Sequence, residues 1–138
     1  MSVIQWSDGL VLGVASMDDI HREFVSLLQA LVAAPDASFL PRLDDFKAHC
    51  VEHFEQESRW MQGCSFPPIH CHEDEHNKVL IILNDVRQRV ADGDLALGRT
   101  LARELTPWFE NHAATMDTIL AQFMLQQGYA AERQPKAR

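Results

Sequence analysis

Residues 43–61 read LDDFKAHCVEHFEQESRWM, and this stretch sets the pattern for the whole fold. Apolar and ligand-type side chains recur in it every three or four residues, which is the spacing of one face of an α-helix. The residues on that face are Leu43, Phe46, Cys50, His53, Phe54, Glu57, Trp60 and Met61. We predict an amphipathic helix from about Phe39 to Met61, stopped by Gly63, with a histidine and a glutamate on its buried face.

Two other stretches show the same periodicity between clear boundaries. The first begins at Ser16, with Asp19 as the acidic partner of a capping box, and ends before Pro35. The third follows the two prolines at positions 67 and 68 and ends at Gly93. Their apolar faces carry His21, Phe24, Val25, Leu28 and Val32 in the first stretch, and Ile69, His72, His76, Val79, Leu83, Val86 and Val90 in the third. Both therefore predict helices that bury histidine.

The last periodic stretch runs from about Leu95 to Met124. Pro107 inside it predicts a kink, or a restart capped by Thr106, because proline removes a hydrogen bond and clashes with the preceding turn. Its apolar face carries Leu101, Leu105, Trp108, His112, Met116, Ile119 and Phe123. Asp117 follows His112 by five residues, about 140° around an ideal helix. A π-type turn, or a carboxylate that reaches sideways, is needed to bring both to one centre.

Four amphipathic stretches with short connections predict an all-α fold, an antiparallel up-down-up-down four-helix bundle. We expect one domain over residues 1–138, with residues 1–15 as an N-terminal arm across the bundle and residues 128–138 as a flexible tail. A formal charge of -8 argues against nucleic acid and anionic membranes as partners. No apolar run approaches the roughly 18 residues of a membrane-spanning helix, and no export signal is evident, so we expect a cytoplasmic protein.

Ligand-type side chains interrupt the apolar face of every predicted helix. They are His21, His53, Glu57, His72, His76, His112 and Asp117. His53 and Glu57 are four residues apart, as are His72 and His76, so each pair stacks on one helix face and can hold one ion. Two carboxylates in a dry interior without lysine or arginine cost several kcal/mol per ion unless a cation compensates them. Two divalent ions with a bridging hydroxide bring the charge of this set to about +1, which neutral imidazoles can surround, whereas seven ligands would crowd a single ion.

The ligand types favour iron over zinc. Imidazole with bridging carboxylates in a helical bundle is typical of a di-iron centre, while structural zinc uses about four ligands rich in cysteine. If the two acids and a solvent oxygen bridge both ions, three histidines complete one ion and two leave the other with an open position. The alternative is a zinc site at the turn between the second and third helices, built from Cys64, His70, Cys71, His72 and His76.

These residues resemble the hemerythrin family, in particular its single-domain bacterial members. The matching segments are Trp6, residues 13–21 (GVASMDDIH), 53–57 (HFEQE), 72–76 (HEDEH) and 108–112 (WFENH), and Asp117. The resemblance implies two iron ions joined by an oxo or hydroxo bridge. It assigns His72, His76 and His112 to one ion and His21 and His53 to the other. It assigns Glu57 and Asp117 to the bridges between the two ions.

The resemblance also implies reversible dioxygen binding, for storage, delivery or sensing, by a protein that is not an enzyme. We expect a monomer that can pass dioxygen to an oxygen-using enzyme. The implied oxygen pocket is walled by Phe54, Trp108, Phe109, Ala113 and Met116. Ala113 stands where the family usually has a branched aliphatic residue, so we expect a roomier pocket with faster ligand exchange or easier autoxidation. Two other functions stay open: a di-iron redox enzyme acting on oxygen, peroxide or nitric oxide, and a structural domain held together by metal.

Overall fold

The computed structural model describes residues 3–134 as a four-helix bundle, and no strand occurs among these residues. Three long helices, α1 (Ala15–Ala33), α2 (Asp36–Gly63) and α3 (Ile69–Ala91), follow a short 3-10 turn at Asp8–Leu10. The fourth segment of the bundle consists of α4 (Leu95–His112), a π-helical turn (Ala113–Asp117) and α5 (Thr118–Gln127). The all-α four-helix bundle predicted from the sequence is confirmed. None of the described helices is long and apolar enough to cross a membrane.

The core consists of two clusters of buried apolar side chains, one toward each end of the bundle. The larger cluster includes Phe24, Phe39, Phe46, Leu83 and Leu105, and the smaller includes Met17, Ile20, Trp60, Met61, Leu120 and Met124. Along each helical segment, the predicted ligands fall between residues of one cluster and residues of the other. The ligand residues therefore lie in the middle of the bundle, with close-packed apolar layers on both sides.

The start of α1 differs from the predicted capping box. Val14 is the N-cap and makes no side-chain cap, and Asp18, rather than Asp19, is the acid that binds backbone N–H groups. Its carboxylate accepts hydrogen bonds from Leu12 N at 2.8 Å and Gly13 N at 3.2 Å. Gly13 has a φ of +89°, a left-handed conformation that glycine adopts without steric cost. The helix begins near the expected residue, but the chain before it is held by hydrogen bonds from two backbone N–H groups to the Asp18 carboxylate.

Pro107 does not divide the fourth segment, because α4 runs through it without a break. The restart capped by Thr106 is therefore wrong. The Thr106 hydroxyl instead accepts a hydrogen bond from the backbone N–H of Ile4, at 3.4 Å. Gln29 donates to the carbonyl of the same arm residue at 2.9 Å, and Arg22 lies over the Trp6 ring, 4.7 Å from its centroid. The described part of the N-terminal arm is fastened in this way to α1 and α4.

The π turn changes which residues of the fourth segment are buried. The sequence pattern placed Ile119 and Phe123 on the apolar face, but Ile119 is 54% exposed and Phe123 is only partly buried. The residues that follow them, Leu120 and Met124, are fully buried instead. A π turn accommodates one more residue than an α-helical turn, so the buried face moves by one residue after it. The prediction for α5 was wrong for this reason.

Residues 129–134 lie against α1 and α2. Trp60 Nε1 donates a hydrogen bond to the Glu132 carbonyl at 2.9 Å, and the Ser16 hydroxyl donates to the Ala131 carbonyl. Arg133 donates hydrogen bonds to the Glu23 carboxylate from both terminal nitrogens of its guanidinium group, Nη1 and Nη2. The sequence predicted a flexible tail over residues 128–138, yet the described part makes specific contacts. Residues 135–138, like residues 1 and 2 of the arm, lie outside the described residues.

Candidate metal centre

The structure brings all seven predicted ligands together in the middle of the bundle, and all are buried. They form two groups that share Glu57. We call His72, His76 and His112 the three-histidine half, and His21 and His53 the two-histidine half. The ring nitrogen that each histidine directs at this cluster is Nε2.

Glu57 spans the two halves with its two carboxylate oxygens. Its Oε2 lies 2.8 Å from His53 Nε2 and 3.5 Å from His21 Nε2. Its Oε1 lies 3.1 Å from His72 Nε2 and 3.4 Å from His76 Nε2. The four-residue spacing of His53 and Glu57 on α2 produces the shortest of these distances, because residues i and i+4 are neighbours on a helix. One oxygen therefore serves each half, as in a carboxylate that bridges two ions.

Asp117 has the same arrangement, and the π turn places it there. Its Oδ2 lies 3.2 Å from His21 Nε2, while its Oδ1 lies 3.1 Å from His72 Nε2 and 3.2 Å from His112 Nε2. The π turn spans Ala113–Asp117, so it makes up the angle that five residues of an ideal α-helix leave open between His112 and Asp117. Asp117 is thus a second carboxylate that faces both halves.

The donor set fits a pair of cations better than it fits a hydrogen-bonded polar core. Both oxygens of Asp117 and the Nε2 of His21 are buried without a hydrogen-bond partner among the described residues, although they lie close to one another. His76 Nε2 and His112 Nε2 face each other at 3.2 Å. Within residues 3–134, the ion pairs of both carboxylates are formed with histidine alone. Two cations between these atoms would satisfy them all and neutralise the buried charge.

The cysteines do not join this cluster. Cys50 is fully buried, and burial raises the pKa of its thiol well above the ordinary value. Cys64 is partly buried and Cys71 is exposed, as is His70, and no disulfide is formed among the three cysteines. Because His72 and His76 face the interior cluster, the alternative zinc site at the turn before α3 is not assembled.

The carboxylates and imidazoles shift one another's pKa values. Burial by itself lowers the pKa of His21 and of His72, but the close carboxylates of Asp117 and Glu57 raise both to about 10. The pKa of His112 is raised, since Asp117 outweighs the effect of burial. Burial dominates at His76 and lowers its pKa. Although burial opposes it, the histidines lower the pKa of both carboxyl groups, so Glu57 and Asp117 are anionic at neutral pH.

Aromatic side chains enclose the two-histidine half. Phe109 meets the His21 ring edge-on at a centroid distance of 5.1 Å, and Phe24 meets the His53 ring at 5.9 Å. The rings of the two phenylalanines stack on each other at a centroid distance of 4.3 Å, and both side chains are buried. Phe24 was assigned to the core but not to the oxygen pocket. Its position three residues after His21, on the same helix face, is the signal that could have placed it beside the ligand rings.

The other predicted pocket residues lie closer to the three-histidine half. Phe54 stacks on His76 at 4.0 Å with the rings nearly parallel, and Trp108 stacks on His112 at 4.7 Å. Ala113 is buried directly after His112. Met116 lines an apolar cavity of about 140 Å³ with Phe66, Pro68, Cys71, His72 and Ile119. The five residues predicted to wall one pocket therefore spread around both halves, and their role in binding oxygen stays a prediction.

The far nitrogens of the ligand rings have unequal support. Glu75 lies 3.3 Å from His112 Nδ1, across from α3 to α4. The Nδ1 atoms of His21, His53 and His76 are buried without a hydrogen-bond partner among the described residues.

His49 lies beside the two-histidine half without facing the ligand cluster. Its ring contacts that of His53 at a centroid distance of 5.2 Å. Burial lowers the pKa of His49 to about 3, so the ring is neutral at neutral pH. His49 is therefore a packing residue beside the ligand set.

Comparison with known proteins gives a consistent picture. The family model of the hemerythrin HHE cation binding domain matches residues 12–124. The chain is 45% identical over 137 residues to a bacteriohemerythrin of Ralstonia nicotianae, a match that covers 99% of this chain and 100% of that one. It is 25% identical over 126 residues to a bacteriohemerythrin of Methylococcus capsulatus, covering 86% and 95%. The crystal structure of a wild-type hemerythrin superposes with a TM-score of 0.81 at 20% identity, covering 89% of this chain and 98% of that one, and so shares its fold.

Proposed function

Because this chain belongs to the hemerythrin family, we propose that it binds dioxygen reversibly at a non-haem di-iron centre, for storage, delivery or sensing. The observation that carries the proposal is the geometry of Glu57 and Asp117. Each of these buried carboxylates has one oxygen near the three-histidine half and the other near the two-histidine half. Two ions separated by shared carboxylates are the arrangement that this geometry suits.

The ligands divide between the ions according to the two halves. His72, His76 and His112 would hold one iron, and His21 and His53 would hold the other, with Glu57 and Asp117 bridging them. The two-histidine half therefore offers one protein ligand fewer than the three-histidine half, and a small ligand would be accommodated on that side. When bound, the two ferrous ions supply the electrons needed to hold dioxygen reversibly.

The chain's own side chains control access and water at the open position. Phe24 and Phe109 cover the rings of His53 and His21 with apolar surface and are themselves shielded from solvent. Excluding water from this side should slow the loss of bound oxygen and the oxidation of the centre to its inactive ferric form. The imidazoles supply five neutral donors once they have lost their ring protons to solvent or buffer. A shell with five imidazoles and two carboxylates donates less charge than a carboxylate-rich one, which favours the ferrous state and reversibility.

The proposal includes a setting for this activity. We propose a cytoplasmic monomer that is not an enzyme and that can hand dioxygen to an oxygen-using enzyme. Ferritin-like di-iron enzymes carry a Glu-x-x-His motif on each of two helices, whereas this sequence has one, at residues 73–76. That difference favours oxygen binding over a redox reaction with oxygen, peroxide or nitric oxide.

Anaerobic loading with ferrous iron, followed by air, tests the function. We expect about two irons per chain by metal analysis, and a visible absorption band that appears with dioxygen and disappears when it is removed. Repeated consumption of oxygen or peroxide without a reversible band would instead identify a redox enzyme. Iron binding with no optical response to dioxygen would identify a metal that only holds the bundle together, and either outcome would overturn the proposal.

A further inference from the structure

A surface groove of about 390 Å³ runs between α2 and α3 and reaches the three-histidine half. Its walls include Phe54, Glu55, Ser58, Glu73, His76 and Asn77. His76 forms part of this wall while its Nε2 faces Glu57 and His112 in the interior. The groove is thus a place where a side chain near the surface can approach a ligand ring from behind.

Two complementary groups in this groove lack partners. The Nδ1 of His76 is buried and has no hydrogen-bond partner among the described residues, and the residue is 98% shielded from solvent. Glu73 is half-buried, and no hydrogen bond or ion pair of its carboxylate occurs among the described residues. Glu73 and His76 are three residues apart on α3, so they lie on the same face with roughly 5–6 Å between their Cβ atoms. A glutamate side chain can cover that separation by changing rotamer.

The neighbouring ligand shows the contact that is missing here. Glu75, on the same helix, lies 3.3 Å from His112 Nδ1. Metal-bound histidines generally donate their second N–H to a carboxylate, a carbonyl or water, which fixes the ring and strengthens it as a donor. Once Nε2 of His76 binds an ion, its proton resides on Nδ1, and the buried N–H needs an acceptor.

We propose that Glu73 is a positioning residue, whose carboxylate accepts a hydrogen bond from His76 Nδ1–H, directly or through one water, when the centre holds iron. This inference rests on the proposed function, because it concerns the loaded centre. Glu73 and Glu75 then support two of the three rings in the three-histidine half. Their negative charge makes these rings stronger donors and favours the ferric state of the ion that they hold.

Iron release and midpoint potential test this role. For Glu73→Leu we expect iron loss to a strong chelator to be roughly 10- to 100-fold faster than in the wild type. We also expect a more positive midpoint potential, since a weaker donor favours ferrous iron. Glu73→Gln, which keeps the shape and an oxygen acceptor, should give a smaller change of the same sign. Asp74→Asn removes the same charge from the next, exposed residue and should leave both values near those of the wild type.

The outcomes separate this inference from the proposed function. If the wild type binds two irons but Glu73→Leu matches Asp74→Asn in both release rate and potential, the role of Glu73 is wrong while the function stands. If the wild type binds no iron, the function fails and the inference fails with it. Thermal melting of the metal-free variants checks that Glu73→Leu folds, and the isosteric Glu73→Gln provides the test if it does not.

Discussion

The two halves of the centre share both carboxylates, yet their surroundings differ. In the three-histidine half, Glu75 supports His112, His76 lines a polar surface groove, and His72 lines a small apolar cavity. In the two-histidine half, the rings of His21 and His53 meet the stacked pair of Phe24 and Phe109. Aromatic rings thus pack against both halves, but among the described residues the polar support and the surface groove lie on the three-histidine side.

This difference indicates a division of labour between the halves. An imidazole that donates its second N–H to a carboxylate is a better-oriented and stronger ligand, so the three-histidine half is suited to hold its ion firmly. Aromatic walls supply no competing ligand and exclude water, so the two-histidine half is suited to offer its ion to an apolar gas. The variants below either remove the distinction between the halves or isolate one of them.

Glu57→Gln should have the largest effect, because it disables the carboxylate that both halves use. The amide keeps the shape but loses the charge that balances the ions, so we expect iron content to fall from about two to below one per chain. Metal analysis after anaerobic loading measures this. Glu55→Gln, an exposed glutamate two residues earlier on α2, is the control and should keep two irons. Two irons in Glu57→Gln would contradict a bridging role.

His53→Ala should affect one half alone. The two-histidine half would keep a single imidazole, so we expect about one iron per chain, held by the three-histidine half, and no optical response to dioxygen. The matched control is His49→Ala, which removes a buried ring one turn earlier that contacts the His53 ring but is not part of the ligand cluster, and it should keep both irons. Retention of a reversible dioxygen band in His53→Ala would place oxygen binding in the other half.

Raising the pH should change both halves together, because one histidine of each has a raised pKa. In the metal-free protein, the carboxylates raise the pKa of His21 and His72 to about 10 from an ordinary 6.5. Their protonated rings stabilise the fold fully below pH 6.5, and this contribution is lost as the pH rises toward 10. Iron needs neutral rings, so its binding releases protons and becomes tighter over the same range.

Two titrations measure these opposite trends. Thermal melting of the metal-free protein should show decreasing stability between pH 6.5 and 10, and anaerobic chelator competition should show increasing iron affinity. His21→Gln removes one of the two protonated rings, so its melting temperature should depend less on pH over this range than that of the wild type. Stability that is constant with pH in the wild type would show that these rings are not protonated beside Glu57 and Asp117.

Ala113→Ile should have the smallest effect. It tests how much free space beside the three-histidine half matters for dioxygen. Ala113 is 2% exposed, so added methyl groups enter the interior beside His112. We expect slower dioxygen exchange and slower autoxidation than in the natural protein, because less space is left near the centre. Stopped-flow measurements compare the two, with the exposed Ala114→Ile as control. Identical rates in Ala113→Ile and the natural protein would reject the expectation of a roomier pocket.

The sequence was sufficient to predict the bundle and to put the seven predicted ligands on the inner faces of its helices, because both depend on spacing along single helices. His53 with Glu57, and His72 with His76, are neighbours by helix geometry alone. The features it could not predict depend on contacts distant in sequence. Residues 129–134 bind side chains of α1 and α2, among them Trp60, 72 residues from its carbonyl acceptor.

The spacing of residues along the sequence also could not predict which side chains surround each half of the centre. A pattern shows that Phe54, Trp108 and Phe109 face inward, but not which ligand ring each one contacts. The structure divides them, with the first two stacked on His76 and His112 and the third against His21. The exposed Ile119 was missed because a constant helical period was assumed across the π turn.

That π turn makes the segment between His112 and Asp117 tolerate the loss of a residue better than the gain of one. Deleting one residue from positions 113–116 would place the aspartate four residues after His112, where an ordinary helical turn keeps both on one face and leaves the register of α5 unchanged. Inserting one residue would instead turn the aspartate and the buried face of α5 away from the centre. A substitution at Ala114 or Thr115, both exposed, alters neither arrangement. Variants of this segment should therefore differ in residue type, or lack one residue, more readily than they gain one, and engineered insertions belong in the turns between helices.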